Sequence, residues 1–416
     1  MSAEAHDPYL ALRTSNFRRY LGGNLLGTIG IQMQGVAVGW EVYERTGAPL
    51  ALGLVGLVQV IPLVLLFLPV GHVVDRFDRR RVLMFAEAGL GLAAVGLAVV
   101  SLLHGPLAMM YLLLFVTGAA RTFQGAAKSA LLPEIVTAGS FQNAVTWNSG
   151  GWQMADVAGP ALGGLLLAVT GGAVAVYLLH AAAALGFVVL LLGVVPDGSH
   201  RPQPVASVGA LLDGVRYVRR SQVLLGAITL DLFAVLFGGA VALLPVYAKD
   251  ILHVGPAGLG WLFASQSMGA VLMALALAHR PPLTRAGPVL LWAVAAFGAA
   301  TIVFGLSRSF ALSVAALAAA GAADSVSVVI RATLAQLGTP IHLRGRVSAV
   351  NSLFIGTSNE LGRFESGGVA ALAGPVFAVV SGGIGTIVVV AIVAASWPEV
   401  RRLKRLEEAM PLTVDR

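Results

Sequence analysis

A long apolar run followed by a basic turn decides the fold of this chain: residues 49–81 read PLALGLVGLVQVIPLVLLFLPVGHVVDRFDRRR. Residues 49–70 carry no charge, and a membrane helix needs roughly 20 mostly apolar residues. Similar runs recur along the 416 residues, of which 57% are hydrophobic and only 11% are charged. A soluble domain is about 25% charged. The sequence therefore predicts an all-α integral membrane protein.

Cutting the chain at polar and Pro-containing breaks predicts twelve transmembrane helices, because Gly and Pro are tolerated inside such spans. The predicted spans are 18–44, 50–73, 80–103, 107–130, 141–169, 173–195, 222–249, 257–279, 287–306, 310–335, 345–373 and 375–397.

The basic residues orient these spans. Of the 27 Lys and Arg residues, twenty fall in segments on one side, and only Arg45, Lys249 and Arg308 fall on the other. By the positive-inside rule, both termini are expected in the cytoplasm. This placement explains the net charge of +7 without a nucleic-acid partner. The absence of Cys excludes disulfides and thiolate metal sites.

The chain is predicted to consist of an N-terminal six-helix half (1–195), a cytoplasmic linker (196–221), a C-terminal six-helix half (222–397) and a basic tail (398–416). In the linker, Leu211, Val215 and Val218 share one face, and the Arg residues point elsewhere. This pattern predicts an amphipathic helix lying on the inner leaflet.

An internal repeat relates the two halves. Gly35–Arg45 aligns with Gly239–Lys249 at an offset of 204, and Gly118–Arg121 aligns with Gly321–Asp324 at an offset of 203. The second offset also places Lys128 on Arg331. Two pseudo-symmetric six-helix bundles with a substrate site near mid-membrane are a known transporter architecture. Chance similarity between Gly- and Ala-rich helices explains matched charges in two helix pairs less well.

The turn after span 2 contains Gly71, Asp75, Arg76, Arg79 and Arg80 in the pattern G-x-x-x-D-R-x-x-R-R. A basic turn alone would satisfy the positive-inside rule, but this spacing resembles the signature loop of the major facilitator superfamily. The resemblance implies that these residues form a conformational latch at the cytoplasmic ends of the two halves.

The resemblance extends from Phe17 to about Arg405 and is strongest for the efflux branch that includes enterobactin exporters. It rests on four stretches: Glu41–Gly47, Leu131–Ile135, Asn143–Ser149 and Arg344–Ser352. Members of this branch move siderophores, macrolides and other unlike compounds. The resemblance therefore implies a secondary transporter whose substrate is a siderophore or a drug-like small molecule.

Span 5 carries Gly159, Pro160, Gly163 and Gly164. A Pro kink with small residues for close packing accounts for this pattern, which also resembles the superfamily's antiporter motif. That motif implies proton-coupled export. Asp156 precedes it, and an intramembrane carboxylate is a candidate proton site.

Further charges lie within the spans, and burial of a carboxyl group favours its neutral form, so that it can take up and release protons. Asp231 has no basic neighbour within one turn and is the first candidate for proton coupling. Other members of the predicted charge relay are Arg121, Asp156, Asp324, Arg331 and Glu360. Asp324 with Arg331, and Glu360 with Arg363, could instead be structural ion pairs. Glu87 could neutralise the Arg79–Arg81 cluster.

Polar stripes predict the substrate cavity. The candidate lining residues are Asn24, Thr28, Gln32, Gln124, Asn359 and Arg363. Interhelical hydrogen bonding would explain any single one of them, but explains whole stripes less well.

The chain lacks a phosphate-binding loop, a metal-ligand motif and a nucleophile elbow, so we expect no enzyme activity, metal or cofactor. The proton gradient is the expected energy source. The expected partners of this monomer are a small-molecule substrate, protons and lipid. An uptake symporter or uniporter of the same fold, and a membrane scaffold or sensor without transport, are the alternatives to a proton-coupled exporter.

Overall fold

The computed structural model describes residues 7–196, 208–280, 284–340 and 342–406. Within them, twelve long helices confirm the predicted fold class, and the ends of all of them except the seventh agree with the predicted spans to within one helical turn. The helices are α1 (Ser15–Thr46), α2 (Pro49–Arg76), α3 (Arg79–Leu102), α4 (Leu107–Leu131), α5 (Phe141–Thr170), α6 (Val174–Leu192), α7 (Gln222–Phe237), α8 (Gly255–Ala278), α9 (Ala286–Leu306), α10 (Phe310–Leu337), α11 (Arg344–Ala373) and α12 (Pro375–Ser396).

Ten helical segments in the described residues are long and apolar enough to cross a membrane. The two long helices that fall short of this apolarity are α1 and α11, although both are longer than most of the others. They carry polar and charged residues along much of their length, as expected of helices that line a cavity rather than face lipid only.

The chain divides by packing into two compact units. The first contains the described residues of Met1–Val38 and Ile61–Val205, and the second contains those of Gly39–Val60 and Ala206–Arg416. The boundary crosses α1 and α2. The domains expected from the sequence follow chain order, with 1–195 as one half, and they stay a prediction.

Glycines let α5 pack against α1 in the first unit. A Cβ atom at Gly159 would lie 2.6 Å from Cβ of Gln32, and one at Gly163 would lie 2.9 Å from Cα of Met33. Pro160 and Gly164 are buried beside them. The motif in span 5 therefore has the packing role expected of small residues in membrane helices.

The second unit repeats this contact. A Cβ at Gly362 of α11 would lie 2.8 Å from the carbonyl oxygen of Val235 in α7. Gly362 stands 203 residues after Gly159. The repeat seen in the sequence thus extends to the way the fifth helix of each half packs on the first.

The seventh span is not a continuous helix, which differs from the prediction of one span over 222–249. The α-helix stops at Phe237, Gly239–Leu243 forms a tighter turn, and Tyr247–Ile251 forms a wider one. A Cβ at Gly239 would overlap the carbonyl oxygen of Gly362. Two consecutive glycines permit this close approach, at the cost of helix regularity.

The linker helix, Val208–Arg220, packs on the beginning of α11 instead of only on lipid. Asp213 accepts a hydrogen bond from Arg346 at 2.9 Å, and Gly214 lies against the Arg346 backbone. Val218 is buried, and the Leu211 side chain lies outside the described residues. Tyr217 donates to the carbonyl oxygen of Gly338 at 2.6 Å, and partial burial raises the pKa of its phenol. The prediction of contact with the inner leaflet stays a prediction.

The described end of the chain returns to the beginning of α9. The backbone N–H groups of Ala286 and Gly287 donate to the carbonyl oxygens of Lys404 and Leu403, both at 3.0 Å. Val400 is fully buried in the same cluster. The segment after α12 therefore caps α9, whose first N–H groups have no partner within the helix.

Candidate functional site

The first unit contains an open cavity of about 640 Å³. It is bounded mainly by α1, α4 and α5, and it is lined by the predicted residues Asn24, Thr28, Gln32 and Gln124. Its polar and aromatic lining includes Tyr20, Asn24, Thr28, Gln32, Arg121, Gln124, Lys128, Asn148 and Trp152. The helical spacing of these residues thus identified one cavity wall on each helix.

A fully buried carboxylate lies behind this cavity. Gln124 Nε2 donates to Oε1 of Glu87 at 2.7 Å, and Nζ of Lys128 is 3.5 Å from the same oxygen. The idea that Glu87 neutralises the Arg79–Arg81 cluster is wrong, because Glu87 binds Lys128 and Gln124, and Arg79 forms its ion pair with Glu134 in the turn after α4. Sequence spacing along α3 could not reveal a partner on α4.

Helices α1 and α5 are joined by a polar seam. Asn24 Nδ2 donates to Oδ1 of Asn148 at 2.8 Å, and Gln32 donates to Asp156 two turns further along. Both pairs have the same separation of 124 residues, as expected for parallel helices. Asp156 is thus held in the seam next to the cavity, whereas the proton role predicted for it stays a prediction.

The second unit contains a smaller cavity of about 120 Å³. It is lined by the predicted residues Asp231, Asp324, Asn359 and Arg363. Gln266 of α8 and Phe297 of α9 also line it and were not predicted. A single Gln in an apolar helix gives too weak a signal for such a prediction.

Arg331 connects the two aspartates of this cavity. It forms a close ion pair with Asp231, lies 3.9 Å from Asp324 and donates through Nε to Ser327 at 3.0 Å. The side chains of Asp231 and Arg331 are only 9% and 11% exposed, whereas that of Asp324 is 43% exposed. The lack of a basic neighbour along α7 is therefore misleading, because the counter-charge of Asp231 comes from α10. The main partner of Arg331 is Asp231 and not Asp324.

The pairing of Glu360 with Arg363 is present, with 3.6 Å between Oε2 and NH1. Both residues lie just past the middle of α11 and pack against Gly56 of α2. A Cβ added to Gly56 would lie 2.9 Å from Cβ of Arg363. The pair is therefore held between two helices of the second unit, and its part in a relay stays a prediction.

The basic turn after α2 is anchored within the first unit. Arg79 is buried in its ion pair with Glu134, and Arg80 donates to the carbonyl oxygen of Val194 at 2.7 Å. Asp78 caps α3 by accepting from the N–H of Arg81 at 3.0 Å. Gly71 and Asp75 lie in the last turns of α2, and Arg76 is its final residue. The latch role of the motif stays a prediction.

Replacing Asp75 by Asn is expected to lower transport by about tenfold or more, because the change removes the negative charge from the predicted latch. Expression is expected to stay intact, because Asn has the same shape as Asp. Substrate accumulation in cells measures it. The matched control is Asp78→Asn, since Asn caps helices as well as Asp does. Equal loss of transport in both variants would contradict a special role for Asp75.

Two polar pairs between distant residues were missed from the sequence. The first unit contains His180, whose Nδ1 lies 2.6 Å from Oε1 of Gln34 in α1. The second unit contains Tyr43, which donates to Asp250 near the end of the seventh span. Each pair joins residues more than one hundred positions apart, so no local sequence pattern predicts it.

A twelve-helix membrane protein built from two six-helix repeats, with polar cavities among its helices, has the architecture of a major facilitator superfamily transporter. A solved structure agrees: a bacterial homolog of the human lysosomal transporter Spinster, in its inward-facing and occupied conformation, has a TM-score of 0.72 at 14% identity. The match covers 99% of this chain and 100% of that one. Within the superfamily, the chain belongs to the transmembrane secretion effector family, which it matches over residues 6–410.

Curated relatives of similar length are exporters. The enterobactin exporter EntS of Shigella flexneri is 27% identical over 398 residues, which cover 94% of this chain and 93% of that protein. The multidrug efflux pump Tap of Mycobacterium bovis is 28% identical over 369 residues, covering 85% and 87%. The protein is therefore a multi-pass membrane transporter of small molecules and not an enzyme.

Proposed function

We propose that this protein is a proton-coupled exporter of a siderophore or drug-like small molecule, located in the bacterial inner membrane with both termini in the cytoplasm. The direction is supported by the exporter relatives EntS and Tap. The location is supported by the excess of basic residues in one set of loops.

The observation that carries proton coupling is the ion pair between Asp231 and Arg331 beside the cavity of the second unit. Protonation of Asp231 would leave the buried Arg331 with only the more distant Asp324 as a counter-charge, and a buried charge that loses its close partner costs free energy. Protonation of Asp231 therefore destabilises this arrangement of the helices and favours a different one. Alternating access requires such a coupling between ion binding and conformation.

The cavity of the first unit suits the proposed cargo. Its volume of about 640 Å³ lies within the range of about 300–1,000 Å³ that is typical of small-molecule sites. Trp152 offers aromatic surface, while Asn24, Gln32 and Gln124 offer amide groups. An amphiphilic molecule with ring systems and several hydrogen-bonding groups would satisfy this lining.

The test uses purified protein in liposomes that contain a pH-sensitive dye. Siderophores, antibiotics and lipophilic dyes are added in pools, and wild type is compared with Asp231→Asn. The matched control, Glu399→Gln, neutralises an exposed carboxylate outside both cavities. We expect protons to move opposite to the substrate in wild type and in the control, and this movement to be lost in Asp231→Asn.

Each other outcome selects a different function. Substrate and protons moving in the same direction would identify an uptake symporter. Substrate equilibration without proton movement would identify a uniporter. Counterflow that survives in Asp231→Asn would keep the antiporter and move the proton site to Asp156 or Asp324. An absence of flux with every pool would favour a scaffold or sensor.

A further inference from the structure

The environment of Glu87 is unusual for a structural counter-ion. The residue is fully buried, and only one of its carboxylate oxygens, Oε1, is bonded, to Gln124 and Lys128. The second oxygen, Oε2, has no hydrogen-bond partner among the described residues. A buried charged oxygen without a donor is costly, and the same atom costs much less when the group is neutral.

The internal repeat relates Glu87 to Asp231 of the second unit. The two carboxylates bind equivalent cations, but they do not occupy equivalent positions in the repeat. Lys128 of α4 corresponds to Arg331 of α10, and both cations are bound by a buried carboxylate. In the second unit this carboxylate is Asp231, which aligns with Gly27 of α1 at the offset of 204. In the first unit it is Glu87, which comes from α3.

The geometry explains how the carboxylate can come from either helix. A Cβ at Gly27 would lie 3.5 Å from Oε2 of Glu87, so the position equivalent to Asp231 touches the Glu87 carboxylate. The stretch of α9 that aligns with Glu87 carries Leu290 and Leu291, both buried in the core beside Leu230. Each unit therefore has a buried carboxylate bound to the cation of its fourth helix, supplied by the first helix in one unit and by the third in the other.

We propose that Glu87 is a second proton-exchange site, placed in the first unit, and that it acts on Lys128 as Asp231 acts on Arg331. This inference rests on the proposed proton coupling. A proton from water binds at Oε2, the carboxylate becomes a neutral acid, and Lys128 loses its counter-charge. Lys128 borders the large cavity, so the charge presented to a bound molecule changes with each proton.

The groups that face Glu87 come from three helices. Lys128 and Gln124 belong to α4, with Arg121 two turns before Lys128 on the same face. Tyr20 faces it from α1. The neighbouring side chain of α6 is Phe187, whose ring lies 5.3 Å from Nζ of Lys128, whereas His180 of α6 is bound to Gln34. Among the described residues of this cluster Glu87 is the only acid, and it is the group that can accept a proton there.

The first test needs no substrate. Infrared difference spectra between high and low pH, recorded on purified protein in lipid, detect the carbonyl band of each carboxyl group that becomes protonated. We expect Glu87→Gln to lose one band and Asp231→Asn to lose another, while Glu399→Gln keeps both. A Glu87→Gln spectrum equal to that of wild type would overturn the proposal.

A second pair of variants guards against misfolding. Glu87→Leu leaves Lys128 buried without a counter-charge and is expected to lower the yield of folded protein by about tenfold or more. Adding Gly27→Asp reproduces the arrangement of the second unit and is expected to restore both the yield and a carboxyl band. If the double variant regains neither, the equivalence of Glu87 and Asp231 is wrong.

The two proposals fail separately. Absence of proton counterflow in liposomes would contradict proton-coupled export even where the infrared band of Glu87 is present. Counterflow in wild type together with an unchanged Glu87→Gln spectrum would keep proton-coupled export and reject Glu87 as a site.

Discussion

Replacing Arg331 by Gln is expected to lower the free energy of unfolding by about 3–5 kcal/mol, because it leaves the buried carboxylate of Asp231 without its partner. The side chains of this pair are only 9% and 11% exposed, so solvent screens the lost interaction little. Asp231→Asn is expected to cost less, since Asp324 remains 3.9 Å from Arg331 as an alternative counter-charge. The measurement is denaturant or thermal unfolding of the purified variants in detergent.

The double variant Asp231→Asn/Arg331→Gln separates charge from shape. It removes both charges and keeps similar volumes, so its stability is expected to return most of the way to wild type. The matched control is Arg402→Gln at an exposed position, expected within about 0.5 kcal/mol of wild type. Equal losses in Arg331→Gln and Arg402→Gln would show that the ion pair does not stabilise the protein.

A substitution of glycine at the crossing of α8 and α10 is also expected to lower the stability of the protein strongly. A Cβ at Gly269 would overlap the carbonyl oxygen of Ala318, and one at Gly321 would overlap that of Gln266. These obstacles are backbone atoms, so the helices can accept a methyl group only by moving apart. Gly321→Ala is therefore expected to cost about 3 kcal/mol or more and to shift the protein toward aggregates.

The matched control for this substitution is Gly368→Ala in α11, where no atom lies within 4 Å of the added Cβ. Ala is the better helix former, so this variant is expected to equal wild type or gain about 0.5–1 kcal/mol. Size-exclusion profiles and melting temperatures in detergent compare the two. A Gly321→Ala protein as stable as Gly368→Ala would mean that the helices separate there without loss.

The helices were predictable because hydropathy and length define a membrane span with little reference to its neighbours. Even α1 and α11, the long helices that fall short of this apolarity, were predicted by cutting the chain at polar and Pro-containing breaks. The interruption of the seventh span at Gly238 was not predicted. Two glycines are compatible with a continuous membrane helix, and only the approach of Gly362 from another helix decides otherwise.

The candidate site was predictable one helix at a time. The spacing of Arg121, Gln124 and Lys128 places them on one face of α4, and in the structure all three line the same cavity. Pairing between helices was not predictable in this way. The pairing of Asp231 with Arg331, and of Glu87 with Lys128, depends on which helices are neighbours and on how they are shifted along their axes. A single sequence does not contain this information.

The cap that Lys404 and Leu403 form on α9 has a practical consequence for mapping topology with reporter fusions. A fusion made directly after Ser396 would remove the capping segment, expose the pocket of Val400 and leave the N–H groups of Ala286 and Gly287 unsatisfied. The reporter in such a fusion would show the side of the membrane reached by a chain whose packing is disturbed. Fusions that begin after Leu406 keep the cap, so a fluorescent or enzymatic reporter placed there reads the side of the membrane on which the intact chain ends.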